Sequence, residues 1–349
     1  MRHFLYYIFS FLFFAMIGCN SPSDLEIKKY SVKSSIVEID SSLFGNPSRL
    51  MLSDSLFFIS DEVDGFYFAV FDIKNKKFLK RFGKKGNGPN EIITPFNTFM
   101  YNGNFAFKTL NTEIIATFNI NEILTKSEPA VNIIAKLREV KKNLIHTNVI
   151  PLKNDNQFLS TGFFSNGKYA VIDNKNFTDS IFGAYSIPNV NMNQYDMGNI
   201  FQSSIIHHPS QKKVVNIGRV YDQIEIITYN DKGDYDIISN NPSFQPEINY
   251  EGNPRLSRSS RFAFLDISVT ERYIYILYSG KTFIEHREGV FFSNKVHVYD
   301  WDLNKKYEYE LNHDIPSLIV SPNDKDLYSF VISSDNSELA LAKWVLIHD

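Results

Sequence analysis

The sequence predicts an all-β fold, a six-bladed β-propeller with four-stranded blades, and three observations carry the prediction. Beyond residue 30 the chain consists of short alternating runs rich in Phe, Tyr, Ile and Val, separated by Asn, Asp, Gly and Lys. Such runs read as strands and turns, and helical periodicity is almost absent. A strand signature behind a polar turn recurs at LFFIS (Leu56), FAFKT (Phe105), FLSTG (Phe158), VVNIG (Val214), IYILYSG (Ile274) and LYSFVIS (Leu327), with spacings of 49, 53, 56, 60 and 53 residues. Finally, the first of these six units can be divided into four strands, which is the arithmetic of a propeller blade. Arrays of β-sandwiches repeat at about 100 residues and fit less well.

The N-terminus comes first. Arg2 and His3 precede FLYYIFSFLFFAMIG, an uncharged apolar run shorter than the roughly 20 residues a membrane span needs. A charged start, an apolar middle and small residues before a cut describe an export signal over residues 1–18. Met16, Ile17 and Gly18 stand before Cys19, the only cysteine in 349 residues, and this box resembles that of bacterial lipoproteins, whose new N-terminal cysteine carries the lipid. Acyl chains at about 0.8 kcal/mol per buried methylene would anchor Cys19 to a membrane without a transmembrane helix. The rival reading is a buried hydrophobic cysteine in a first core element. Residues 19–29 are small and polar and read as a tether, followed by the propeller over residues 30–349.

Within the first unit the strands are SRLML, DSLFFIS, GFYFAVFDI and FLKRF, with Asn75 to Lys77 turning between the last two. Helix is expected only in short pieces, Asn119 to Thr125 and Ala135 to Lys142. After Asp314 only three strands can be placed: SLIV, LYSFVIS and LALAKWVLI. The missing fourth is available in SSIVEID, Ser34 to Asp40, so an N-terminal strand is expected to close the last blade and remove its open edge.

A family resemblance rests on particular segments. FGKKGNGPNEIITPFNTF, Phe82 to Phe99, resembles the blade connection of NHL-type propellers, with Gly83, Gly86, Gly88, Pro89, Glu91 and Pro95 at the familiar intervals. YIYILYSGK (Tyr273 to Lys281) and VHVYDWDLNKKYEYELNHDI (Val296 to Ile315) are similar to the fifth blade of the TolB-like six-bladed propeller lipoproteins of Gram-negative envelopes. The resemblance implies the fold and an envelope address, with outer-membrane anchoring first among the addresses, but no assigned activity. Asp302-Leu303-Asn304 departs from it, because the family commonly turns through glycine there, and a hairpin of different shape is expected.

The chemistry-bearing residues point to no reaction. A formal net charge of -3 supplies no basic stripe for phosphate neutralisation, which argues against a nucleic-acid partner. The GKKGNG loop looks like a phosphate cradle, but such loops open a helix, and here Pro89, Pro95 and a strand-like run follow. A structural connection is expected instead. His207 and His208 are adjacent, so their side chains face opposite ways on a strand, with no carboxylate at a ligand spacing. Asp300 and Asp302 read as solvated hairpin acids, Trp301-Asp302 as a chance match to the WD signature, and Ser203, Ser204, Ser259 and Ser260 lie in no nucleophile elbow. Neither a metal nor a cofactor is implied.

The densest basic stretch past the tether is NPRLSRSSRF, with Arg255, Arg258 and Arg261. A blade-to-blade connection should cross a face toward the channel mouth, and arginine's planar fork suits carboxylates. The expected function is therefore that of a monomeric, non-catalytic propeller, membrane-held through Cys19, that binds or scaffolds a protein, peptide or glycan, with an acidic peptide or uronic-acid glycan as partner class. The alternative is a hydrolase or lyase acting on a glycan or lactone at the channel mouth, and fold alone does not choose between them.

Overall fold

The computed structural model describes residues 27–137, 144–153, 156–164, 166–174, 178–185, 192–332 and 338–348. The expected leader, Cys19 and most of the tether lie outside these residues, as do positions 138–142 of the second expected helix.

Two N-terminal strands, β1 (Lys28–Val32) and β2 (Ser34–Val37), precede the blades. Blade one holds β3 (Arg49–Ser53), β4 (Leu56–Val63), β5 (Phe66–Asp72) and β6 (Lys77–Lys84); blade two holds β7 (Pro95–Tyr101), β8 (Asn104–Thr109), β9 (Ile114–Phe118) and β10 (Asn132–Lys136). Blade three follows with β11 (Ile145–Pro151), β12 (Gln157–Phe163), β13 (Tyr169–Asp173) and β14 (Thr178–Phe182), and blade four with β15 (Ser203–His207), β16 (Lys213–Gly218), β17 (Ile224–Tyr229) and β18 (Tyr235–Ser239). A small ribbon, β19 (Ile248–Asn249) with β20 (Arg255–Leu256), leads to blade five: β21 (Phe264–Val269), β22 (Tyr273–Tyr278), β23 (Ser293–Asp300) and β24 (Lys305–Ile315). Blade six contributes β25 (Ile319–Val320), β26 (Asp326–Ile332) and β27 (Leu339–Val345).

Each blade is an antiparallel sheet in chain order, and the last is completed by β2, in sheet order β2-β27-β26-β25. Ser34 lies opposite Trp344 and Val37 opposite Leu341, so the closure expected from Ser34 to Asp40 is the closure observed. The strand β1 adds something further. It pairs parallel with β24, from Lys28 opposite Tyr307 to Val32 opposite Leu311, and gives blade five a fifth strand. Lys28 and Lys29, read from sequence as tether, already belong to this strand, and Tyr30 stacks on Tyr309 with centroids 5.6 Å apart.

Aromatic side chains fill the wedges between blades. Phe58, Phe68 and Phe82 of blade one interlock with Phe105, Phe107 and Phe118 of blade two, all at most 1% exposed. The Phe68 and Phe105 rings meet edge-on at 4.7 Å, and each such burial contributes about 1.5–3 kcal/mol. Strand residues facing alternate sides serve two neighbouring wedges, so every blade is held by both neighbours.

The first expected helix is present as α1 (Ile120–Thr125): Asn119 caps it by accepting the Glu122 N–H at 3.2 Å, and Ile123 is its buried anchor. Ala135 and Lys136, expected to be helical, close β10 instead, with Ala135 buried against Phe99 and Val149 in the wedge to blade three. Tertiary packing here overrides local preference. Two more short helices, α2 (Gln194–Ile200) and α3 (Phe283–His286), sit in loops. Among the described residues no helix is long and apolar enough to cross a membrane.

A candidate binding cavity at the channel mouth

The first strands of the blades line the axis, with β7, β11, β15, β21, β25 and β3 in succession around the ring. They enclose a channel of about 450 Å³, lined by residues such as Met51, Met100, Ile206 and Asp266. On the face where these inner strands begin, the channel opens into a cavity of about 1240 Å³ to which blades one to five all contribute. Arg49, Thr98, Asn148 and Ser204 line both spaces and form the neck between them.

The carboxylates and several hydroxyl and amide groups of this cavity are committed within the protein, while Thr98 Oγ1 is buried without a partner among the described residues. Asp61 accepts the N–H groups of Gly45 and Asn46 at 3.1 and 2.8 Å and pairs with Arg81 at 3.0 Å. Glu62 pairs with Lys85. Asn148 donates to the Ser203 carbonyl at 2.6 Å, Thr147 to the Thr161 carbonyl at 3.0 Å, and Ser48 to the Ser60 carbonyl at 3.3 Å.

Two arginines are different. Arg219, on the turn between β16 and β17, makes no ion pair or side-chain hydrogen bond with any described residue. Its guanidinium sits over Phe291 at 5.5 Å and Phe262 at 6.0 Å, in the corner of two rings set at 85° to each other. The side chain is exposed to the cavity, its N–H donors unspent on any described residue, and partial desolvation lowers its pKa from the ordinary arginine value. An anion entering the cavity can therefore reach it directly. Arg49 likewise makes no ion pair with any described residue, and its charge is felt by Asp266 in the channel. Burial raises the Asp266 carboxyl pKa, opposed by the Arg49 charge and by the N–H groups of Leu318, at 2.8 Å, and Ile267.

The glycine-rich loop is a wall of this cavity and a blade connection. Lys85, Gly86 and Asn87 line the space, and the loop is knit by Glu91, which accepts the Gly88 N–H at 2.8 Å and pairs with Lys84 at 2.9 Å. Gly86 has φ +155°, and a Cβ there would lie 2.0 Å from the Glu91 carboxylate. The glycine leaves room for this closing contact, and no helix follows to supply a phosphate cradle.

The three arginines read from sequence are exposed but do not line the cavity. Arg255 lies in β20 opposite Asn249. Arg258 sits 5.8 Å over Phe283, and Arg261 sits 5.8 Å over Phe244 while donating to the Gly280 carbonyl at 2.9 Å. Their segment does approach the mouth, but reaches it only at Phe264 and Leu265. Arg219, a single basic residue in a strand turn, carries no local signal, because its aromatic corner is assembled from two other loops.

The remaining candidates are absorbed by structure. His207 donates through Nδ1 to the His208 carbonyl and accepts the Tyr229 hydroxyl at Nε2, both at 2.6 Å. His208 Nδ1 accepts the N–H groups of Ser210 and Gln211, and its ring packs on Trp301 at 4.4 Å. Asp300 organises its hairpin by accepting from Asp302 and Asn304, which lets Leu303 take φ +64° where glycine was expected. Trp301 is buried and donates to the Thr270 carbonyl at 3.2 Å. Ser203 and Ser204 line the cavity without an imidazole among its lining residues.

The family model described as TolB-like 6-blade propeller-like matches residues 26–323. Among solved structures, a protein from Bacteroides fragilis inferred to be exported is similar at a TM-score of 0.58 and 13% identity, covering 93% of this chain and 100% of that one. A member of the DUF4221 family from Bacteroides vulgatus is similar at a TM-score of 0.53 and 12% identity, covering 93% of this chain and 96% of that one. At such identities these likenesses bear on the fold alone. No curated protein matches the chain.

Proposed function

The chain belongs to the TolB-like 6-blade propeller-like family, and from that premise we propose that it is a non-catalytic binding protein of the cell envelope, anchored at the outer membrane by lipid on Cys19. Its partner, a protein, peptide or glycan, presents carboxylates to the cavity at the channel mouth. The observation that carries this reading is Arg219, a guanidinium held over two rings with no acid partner among the described residues. Arginine's fork makes bidentate contact with carboxylates.

Binding rather than turnover is supported by the cavity's acids, since Asp61 and Glu62 are held by Arg81 and Lys85 and are not placed as an acid and base pair. The Met16 to Cys19 box behind an uncharged run supports the anchor. Arg255, Arg258 and Arg261 form an outer basic rim that draws the same acidic partner toward the face.

Two measurements test the reading. Wild type and Cys19→Ser are partitioned between detergent and water, and equal partitioning removes the anchor. Solubilised envelopes are then passed over wild type and Arg49→Gln/Arg219→Gln, with selective loss of retained partners from the double variant expected. Identical retention by both proteins removes the cavity.

A further inference from the structure

We propose that the occupant of the mouth cavity is a peptide segment carrying both an acidic side chain and large apolar ones, and that Arg219 is the residue that selects it. This rests on the reading of the cavity as an acid-binding site and narrows it to one class of ligand. The observation behind the narrowing is what the cavity leaves free. Its carboxylates, Asp61 and Glu62, are already paired with Arg81 and Lys85, which leaves Arg49 and Arg219 as the lining charges without an ion pair among the described residues.

The apolar lining, by contrast, is open. Phe96 stands 52% exposed at the start of β7, beside Ile93 on the same wall, and Leu265 faces the cavity from blade five. Exposed apolar surface of this kind is stabilised by apolar ligand atoms at about 25 cal/mol per Å². Arg219 in its aromatic corner supplies one charged fork on the blade-four side, two blades round the ring from Phe96 and next to Leu265 of blade five. One acid flanked by apolar side chains satisfies all of these, and an extended peptide, whose side chains alternate in direction, can present them to different walls. The cavity volume of about 1240 Å³ admits several residues of such a segment.

The test uses the mature full-length chain and three fluorescein-labelled probes: the alternating peptide (Leu-Glu)₃, its neutral counterpart (Leu-Gln)₃, and hexagalacturonate. Fluorescence anisotropy is expected to show saturable binding of (Leu-Glu)₃ at least tenfold tighter than either of the others. Arg219→Gln is expected to weaken (Leu-Glu)₃ at least tenfold with little change in the (Leu-Gln)₃ baseline, and Arg219→Lys is expected to fall between. Phe96→Ala, which removes an exposed ring and leaves the core untouched, is expected to weaken the peptide several-fold. That variant decides the question if Arg219→Gln does not fold. Preferential binding of hexagalacturonate overturns the peptide inference while leaving an acid-binding cavity standing. Binding of neither acidic probe, or equal affinity in wild type, Arg219→Gln and Phe96→Ala, overturns both.

Discussion

Ser34 and Trp344 face each other across the seam where the ring closes, and both are gripped by one oxygen. Asn312 Oδ1, from β24, the fourth strand of blade five, accepts the Ser34 backbone N–H at 2.9 Å and the Trp344 indole N–H at 2.8 Å. The seam therefore joins the N-terminal strand, the last blade and its neighbour at a single point. Trp344 is fully buried in the wedge between blades five and six, so its N–H cannot turn to water if Asn312 is lost.

Asn312→Ala is accordingly expected to destabilise the domain by about 1–3 kcal/mol, the cost of orphaning a buried donor. Deleting Ser34 to Asp40 is expected to do more. It exposes the edge of β27 and removes Val37 and Ile39 from the wedge between blades six and one. Because every blade leans on two neighbours, the whole domain should melt earlier, by roughly 10 °C or more. Calorimetry decides it: a truncated protein that melts like the intact one disproves the closure.

Between blades three and four, Lys168 and Glu225 form a buried ion pair to which Tyr169 and Asn216 also donate. Lys168 reaches Gln223 as well, at 3.2 Å, and burial lowers its pKa despite Glu225. Removing one partner strands the other charge in the wedge, so Lys168→Met should cost about 3–5 kcal/mol. Lys168→Met/Glu225→Gln should recover part of that, since a neutral amide needs no counter-charge. Urea denaturation of both single variants and the double gives the coupling energy, and a value near zero contradicts the assignment.

Five histidines set a pH dependence whose sign follows from burial. Desolvation lowers the pKa of His146 to about 3, of His297 to about 3 and of His207 to about 4, and it lowers those of His208 and His348 as well. Each sits below the ordinary value of 6.5, so between the two values the unfolded chain binds more protons than the folded one. Stability is thus fully present above about pH 6.5 and is lost as pH falls toward 3, by up to about 1.4 kcal/mol per pH unit for each histidine. Urea midpoints at pH 7.5 and 5.5 compare the limbs before most carboxylates titrate. A midpoint that does not fall at pH 5.5 removes the histidine account.

The blades were legible because the strands are buried in a repeating way. LFFIS, FAFKT and VVNIG each place their apolar residues in two wedges, and that periodicity survives in sequence. The closing strand was legible by subtraction, since the last unit lacked one. The fifth strand of blade five was not, because KKYSV is half polar and its pairing with Tyr307 to Leu311 is a backbone matter. Arg219 was hidden for a related reason: its meaning lies in Phe262 and Phe291, brought to it by loops of a different blade. The charge cluster that did stand out, at Arg255 to Arg261, stood out by density, which local sequence shows and which says nothing about what a side chain faces.

That distinction between rim and cavity gives the last prediction. Arg258 and Arg261 each rest on one aromatic ring, Arg261 donates to a single carbonyl, and all three arginines are exposed. Exposed contacts of this kind contribute about 0.5–1 kcal/mol each, so Arg255→Ala/Arg258→Ala/Arg261→Ala should remain folded, with a loss of about 1–2 kcal/mol. Its effect on an acidic ligand should be kinetic. Charges at a rim steer the encounter through solvent, so their loss lowers the association rate and flattens its salt dependence. Arg219 is exposed too, but it lines the cavity and would touch the bound ligand, so Arg219→Gln should raise the dissociation rate. Stopped-flow traces with labelled (Leu-Glu)₃ at 20 and 200 mM salt separate the two. A triple variant that dissociates faster while associating normally would place these arginines on the ligand itself, and would move the site from the channel mouth to the β19–β20 ribbon.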